Sequence, residues 1–118
     1  MRRESIKLMM YEDYDENTRI VNGRPVDTRK IEITRCCVGE FEVGTNGLYG
    51  GDTGHGSRTY IRYQDLGGTD INIVSTGNGV AIELGGDDEL NSLIEGMEFM
   101  LETLKEQIAY NKGLNDRL

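Results

Sequence analysis

Residues 85–113 decide the fold, and they read GGDDELNSLIEGMEFMLETLKEQIAYNKG. Apolar residues recur along this segment at spacings of three and four, which is the period of an amphipathic helix. Acidic residues follow the two opening glycines, as at many helix starts, and Gly113 is a typical stop signal. We therefore predict a helix over residues 87–112 that is capped by Asp87 or Asp88. Its apolar stripe consists of Leu90, Leu93, Ile94, Met97, Met100, Leu101, Leu104 and Ile108.

The length of this stripe bears on assembly. Met97 and Met100 are interpreted as core residues rather than as a binding groove, because methionine on a helix usually fills the core. The stripe nevertheless continues beyond the length that a small sheet can cover. The apolar fraction of the chain is 36%, low for a globular protein, so burial between subunits would add stability. We expect a homo-oligomer, at least a dimer, with the helix in its interface.

Residues 1–86 are predicted to be mostly β-sheet. The clearest strand candidate is Lys30–Val43, where apolar odd-numbered positions alternate with Glu32, Glu40 and Glu42. Gly39 is interpreted as a bulge within it. The other strand candidates are Ser5–Met9, Arg19–Val21, Arg58–Gln64, Asp70–Ser75 and Val80–Leu84.

Glycine-containing turns separate these strands. Asn22-Gly23 and Gly77-Asn78-Gly79 are turn signals, and Asn-Gly favours a hairpin with positive φ at both central residues. The fold class that follows is α+β, an antiparallel sheet of five to six strands with a long C-terminal helix packed on it. With 118 residues, the chain is predicted to be a single domain over 1–118.

Composition excludes several function classes. The net charge is −8, which argues against a general nucleic-acid binder because phosphate contacts need clustered cations. Cys36 and Cys37 are adjacent, and with the single histidine they cannot form a zinc signature, so no metal and no cofactor is expected. Unpaired cysteines and an N-terminus without a long apolar run predict a cytoplasmic protein.

The glycine-rich loop over 44–57 is the candidate site. The loop contains glycines, hydroxyls, a histidine and Tyr49, and Arg58, Tyr60 and Arg62 follow it. These residue types suit backbone contact with an anion, a phosphate fork and base stacking. The alternative is a long, mobile hairpin loop without function. The predicted ligand-binding residues of the loop and of the segment after it are Asn46, Tyr49, Gly51, Asp52, Thr53, His55, Gly56, Ser57, Arg58, Tyr60 and Arg62.

Known catalytic and nucleotide motifs do not occur in this loop. There is no Gly-Lys-Ser/Thr segment, and Gly54-x-Gly56 lacks the third glycine of a dinucleotide fingerprint. Asp52, His55 and Ser57 are the residue types of a hydrolase triad, but a triad normally joins separate elements of the fold. We therefore predict a binding protein and not an enzyme.

The run Gly-Gly-Asp-Thr-Gly-His-Gly-Ser-Arg-Thr within Gly44–Arg62, followed by Gly85-Gly86-Asp87 at the start of the helix, resembles a bacteriophage anti-defence family. It is similar to the first Thoeris anti-defence (Tad) family, over about the C-terminal two-thirds of the chain. The resemblance implies a sponge in the infected bacterial cell that binds a cyclic ADP-ribose isomer without cleaving it. It also implies dimers or hexamers, with cyclic oligonucleotides of CBASS immunity bound at separate sites. Arg24 and Arg29 are the ligand-binding residues expected at such a second site.

Two other function classes compete with this reading. An acidic protein of this size can mimic DNA and block a nuclease, as anti-CRISPR proteins do, and then the carboxylates rather than the loop carry function. A phosphodiesterase or ring nuclease would turn the nucleotide over and would need His55 or a carboxylate as its base.

Overall fold

The computed structural model describes residues 14–34, 38–48, 56–67 and 70–116, and its α+β class and six antiparallel strands confirm the predicted fold. The first four strands form one sheet in sequence order, and the last two form a separate ribbon that leads into the helix. Among the described residues, no helix forms an apolar stretch that would cross a bilayer. The elements are β1 (Asp15–Val21), β2 (Arg24–Thr34), β3 (Val38–Thr45), β4 (Thr59–Asp65), β5 (Ile71–Ser75), β6 (Val80–Leu84) and α1 (Asp87–Asp116).

The prediction of one continuous strand over Lys30–Val43 is wrong, because the segment folds back on itself. β2 and β3 are antiparallel neighbours with Ile31 opposite Phe41 and Ile33 opposite Gly39. In this register, residues of the same parity share a face on both strands, so the alternation of apolar and polar residues passes through the turn unchanged. Gly39 pairs regularly on both sides and is not a bulge.

The strand candidates elsewhere agree with the structure within a few residues. β1 begins earlier than predicted, at Asp15, while Ser5–Met9 lies outside the described residues. Asn22 and Gly23 have φ of 49° and 82°, which confirms a turn with two positive φ values. In the second hairpin only Gly77 has a positive φ, 85°, so the glycine before Asn78 makes that turn.

The core lies between the four-stranded sheet and α1. Ile31, Ile33, Phe41 and Phe99 form its buried cluster, and the Phe41 ring lies 4.9 Å from that of Tyr63. Gly96 allows the helix to approach Phe41 closely, because a Cβ at this position would overlap the phenylalanine ring. The helix therefore rests on the face of β2 and β3 that carries the odd-numbered residues.

The face of α1 that packs on the sheet differs from the predicted stripe. The prediction that Met97 lies in the core is wrong, since its side chain is 53% exposed, whereas Met100 is half-buried against the core. The buried face consists mostly of small and polar residues around one aromatic ring: Glu89, Ser92, Gly96, Phe99, Thr103 and Asn111.

Both ends of α1 also differ from prediction. The helix continues through Gly113 to Asp116, so Gly113 does not stop it. At the start, the carbonyl of Gly86 accepts from the N–H of Leu90, which makes Gly86 the capping residue and places Asp87 and Asp88 inside the first turn. Gly86 has a φ of 107°, a value that glycine adopts without strain.

The four-stranded sheet is curled, so that its edge strands β1 and β4 approach each other at one end. The guanidinium carbon of Arg19 on β1 lies 5.4 Å from the ring centroid of Tyr60 on β4. The concave face of the curled sheet is the one opposite the helix. On it, Val26, Thr28 and Glu42 are at most 1% exposed. The curl therefore gives the sheet a second buried region.

Candidate ligand-binding site

The base of the glycine-rich loop is held by a hydrogen-bonded stem between β3 and β4. The prediction that the loop begins at Gly44 is wrong, because β3 continues through Thr45. The Thr45 and Thr59 hydroxyls lie 2.8 Å apart across the two strands. Beyond them, the N–H of Arg58 donates to Oδ1 of Asn46 at 2.6 Å, and the N–H of Asn46 donates to the carbonyl of Arg58 at 3.1 Å. Asn46 is therefore a structural clamp at the loop entrance.

The C-terminal half of α1 anchors the same stem. Asn111, 8% exposed, donates through Nδ2 to the carbonyl of Gly47 at 3.1 Å. Gln107 accepts from the N–H of Thr45 at 2.7 Å and donates to the carbonyl of Asp27 at 3.0 Å. Sequence reasoning missed both side chains. The sequence did contain a signal, because Gln107 and Asn111 are polar residues one turn apart on the same side of the helix. Only the apolar positions of the helix were used to predict its contacts.

Two of the predicted arginines meet at this end of the sheet. Nε of Arg58 donates to the carbonyl of Val21 at 3.1 Å, which ties the start of β4 to the end of β1. Nη1 of Arg24 lies 3.4 Å from the carbonyl of Gly56, so the second arginine reaches the loop from β2. Nη1 of Arg58 also donates to the carbonyl of Ser57 at 3.0 Å, so two arginines distant in the sequence contact the adjacent carbonyls of Gly56 and Ser57.

The other predicted residues do not all join this group. Tyr60 lies nearby on the concave face, where Arg19 covers one side of its ring. Arg62 is farther along β4, and Nη1 and Nη2 lie 2.9 and 2.7 Å from carboxylate oxygens of Glu40 and Glu42. The remaining five predicted residues lie outside the described part of the chain: Tyr49, Gly51, Asp52, Thr53 and His55.

Arg29 is separated from the other arginines. It lies in a cleft of about 480 Å³ between α1 and strands β1 and β2. Nη1 is 2.6 Å from Oε1 of Glu106, and the guanidinium lies 5.0 Å from the ring centroid of Tyr14. Glu16 and Asp27 also line the cleft, so its charge is acidic and does not suit a second phosphate site.

A buried ionic cluster lies beside the candidate site on the concave face. Glu42 is fully buried and accepts from Nε and Nη2 of Arg19 at 2.8 and 2.7 Å, from the Thr28 hydroxyl at 2.6 Å and from Arg62 at 2.7 Å. The hydrogen bonds from Arg19, assisted by those from Thr28 and Arg62, outweigh desolvation and lower the pKa of Glu42 from 4.5 to about 2. The cluster links β1, β2, β3 and β4 and fixes the curl that brings Arg24 and Arg58 together.

This pKa predicts how stability depends on pH. Because the pKa of Glu42 is lower in the folded state, its contribution is fully present above pH 4.5 and is lost as the pH falls toward about 2. We expect the difference in unfolding free energy between the wild type and Glu42→Gln to shrink over that interval. Urea unfolding of both proteins across the interval measures this difference, and a constant difference would contradict the assigned pKa.

No group of three or more metal-binding side chains occurs in the described ranges. Comparison of the chain with protein-family models, with curated proteins and with solved structures gives no match.

Proposed function

We propose that this protein binds and sequesters a cyclic nucleotide immune signal, without cleaving it, and so acts as an anti-defence sponge. The observation that carries the proposal is the convergence of Arg24 and Arg58 at the base of the loop. Nη1 of Arg24 and Nη1 of Arg58 lie 3.4 and 3.0 Å from the carbonyls of Gly56 and Ser57, at the end of the loop. Arginine groups at such a position suit bidentate recognition of phosphate oxygens.

The loop supplies the remaining chemistry of the proposed site. Its glycines allow close backbone approach, Ser57 and Thr53 offer hydroxyls, and Tyr60 or Tyr49 offers a ring for the base. A cyclic ADP-ribose isomer and a cyclic oligonucleotide both contain adenine or another base, ribose and phosphate. The resemblance of the loop sequence to the Tad family supports the same class of ligand.

Absence of turnover is part of the proposal. No residue arrangement in the sequence resembles a catalytic triad that joins separate elements of the fold. A sponge needs only tight, stoichiometric binding, because it acts by lowering the concentration of free signal.

The alternative is an acidic mimic of DNA, which the net charge of −8 and exposed carboxylates such as Glu32, Asp70 and Glu83 support. Its weaker point is that some carboxylates are already paired. Glu40, Glu42 and Glu106 each form an ion pair with arginine, so these carboxylates serve to hold the fold together. A mimic instead presents an array of solvated carboxylates to its partner.

Replacing Arg58 with alanine is expected to weaken nucleotide binding about ten-fold to over a hundred-fold. The reason is the loss of a charge-assisted hydrogen bond, worth about 1.5–3 kcal/mol. Isothermal titration calorimetry with cyclic ADP-ribose isomers and cyclic oligonucleotides measures the change. Circular dichroism confirms folding, because Arg58 also bonds to Val21. Lys105→Ala, which removes an exposed positive charge from the helix, is the matched control and should bind like the wild type.

A second variant tests the backbone of the loop. Gly51→Val adds a branched side chain where close backbone approach to the ligand is proposed, so it should weaken binding while leaving the helix intact. If Arg58→Ala and Gly51→Val both bind nucleotide as tightly as the wild type, the loop is not the site. The acidic mimic then becomes the favoured function.

A further inference from the structure

The helix presents a second, unpartnered apolar face to solvent. Four of its residues, Leu90, Ile94, Met97 and Leu101, are each about half exposed, at 45–53%. With the half-buried Leu104 and Ile108 they follow the alternating four- and three-residue spacing of a heptad seam. In a monomer this seam costs free energy, because large apolar side chains remain in water.

A second apolar face lies on the β5–β6 ribbon. The register places Ile73 opposite Ile82 and Ser75 opposite Val80 on one side, whereas Val74 and Ala81 lie on the other. Ile73, Val80 and Ile82 are 48%, 63% and 39% exposed. A two-stranded ribbon is marginally stable by itself, so this face also requires a partner.

We infer that a second copy of this chain covers the helix seam, and that the two helices pair antiparallel. Antiparallel pairing centred near Phe99 brings every seam residue opposite another: Met97 opposite Leu101, Ile94 opposite Leu104, and Leu90 opposite Ile108 of the second copy. The pairing is symmetric, so each contact occurs twice, as a two-fold dimer requires.

Charge complementarity selects the antiparallel orientation. The first turn of α1 carries Asp87, Asp88 and Glu89, whereas the exposed Lys112 lies near its other end. Antiparallel pairing places Asp87 beside Lys112 of the second copy at both ends of the seam. Parallel pairing would instead place the exposed Asp87 and Asp88 of both copies together and bring the two helix N-termini side by side.

The same arrangement accounts for the ribbon. Gly85 and Gly86 join β6 directly to the start of α1. In the antiparallel dimer, the C-terminal half of the second helix lies beside this junction. The exposed side chains of Ile73, Val80 and Ile82 can then pack against the second copy. The assembly does not require ligand, so it is tested with nucleotide-free protein and can fail independently of the proposed function.

Multi-angle light scattering at micromolar concentration should give a dimer for the wild type. Met97→Glu and Val80→Glu should each shift the protein toward the monomer by at least ten-fold in dissociation constant. The matched controls are Ala109→Glu on the exposed helix surface away from the seam and Val74→Glu on the opposite side of the ribbon. Both should remain dimers, with circular dichroism confirming that every variant is folded.

Orientation is tested by charge exchange and by cross-linking. Asp87→Lys and Lys112→Asp should each weaken the dimer, and the double variant should restore it. In a Cys36→Ser, Cys37→Ser background, a mixture of Met97→Cys and Leu101→Cys proteins should form a disulfide dimer on oxidation. A monomeric wild type would overturn the inference, as would a Met97→Cys protein that cross-links to itself more readily than to Leu101→Cys.

Discussion

Replacing Glu42 with glutamine should lower the free energy of unfolding by about 3–5 kcal/mol at neutral pH. Glu42 is fully buried and is the common acceptor for Arg19, Thr28 and Arg62. Glutamine keeps the volume of the side chain but removes its charge. Arg19 would then lose the carboxylate that accepts both of its hydrogen bonds, and of its two ion pairs Arg62 would keep only the one with Glu40.

The matched control for this substitution is Glu32→Gln. Glu32 lies on β2 on the same face of the sheet, but it is exposed to solvent, so its loss should change stability by no more than about 0.5 kcal/mol. Urea unfolding at pH 7 measures both variants. Equal effects at the two positions would mean that the cluster around Glu42 does not hold the curled sheet together.

Replacing Gly96 with alanine should destabilise the protein by about 1–3 kcal/mol, although alanine is the better helix former. A Cβ at Gly96 would overlap the ring of Phe41. That ring cannot move away easily, because it is 1% exposed and packs against Tyr63. Relief would require the helix to lift from β3, which would open the core around Phe99.

Gly113→Ala provides the control within the same helix. No atom lies within 4 Å of a Cβ added there, and the residue is helical, so alanine should stabilise the protein by up to about 1 kcal/mol. Thermal and urea unfolding should therefore show effects of opposite sign for the same substitution. Stabilisation by both variants would show that the close approach of α1 to Phe41 is absent in solution.

The segment over Lys30–Val43 was correctly predicted to be extended, but it was predicted as one strand and forms parts of two, β2 and β3. The apolar positions Ile31, Ile33, Phe41 and Val43 do face the core, as their alternation predicts. Because odd-numbered residues of β2 pair with odd-numbered residues of β3, the alternation of apolar and polar residues is the same as in a single continuous strand. Only a turn signal could have revealed the reversal, and the segment between β2 and β3 contains neither glycine nor proline.

The helix shows a limit of a different kind. Its existence followed from periodicity, but its inward face was misassigned because two faces were candidates. The apolar seam was the natural choice for the core, whereas the face that packs on the sheet carries Gly96, Thr103 and Asn111 around Phe99. This face packs on the sheet because its small residues allow the helix to approach closely. A hydropathy pattern does not detect close packing of this kind.

The candidate site was predictable in composition but not in geometry. The loop sequence alone was enough to predict Arg58 as a site residue. The position of Arg24 beside the loop depends on the curl of the sheet, which the sequence does not indicate. The ion pairs of Arg29 and Arg62 depend on carboxylates distant in the sequence, such as Glu106. Contacts of this kind arise from tertiary structure and leave no local pattern.

Mass spectrometry of heat-denatured protein tests the proposed function most directly. The wild type and His55→Ala are incubated with excess cyclic ADP-ribose isomers and cyclic di- and trinucleotides, separated from free ligand, and denatured. We predict release of one intact nucleotide class in stoichiometric amount from the wild type, and of intact nucleotide, in equal or smaller amount, from His55→Ala. Conversion of excess nucleotide to product, or the absence of any bound nucleotide in the wild type, would contradict the account.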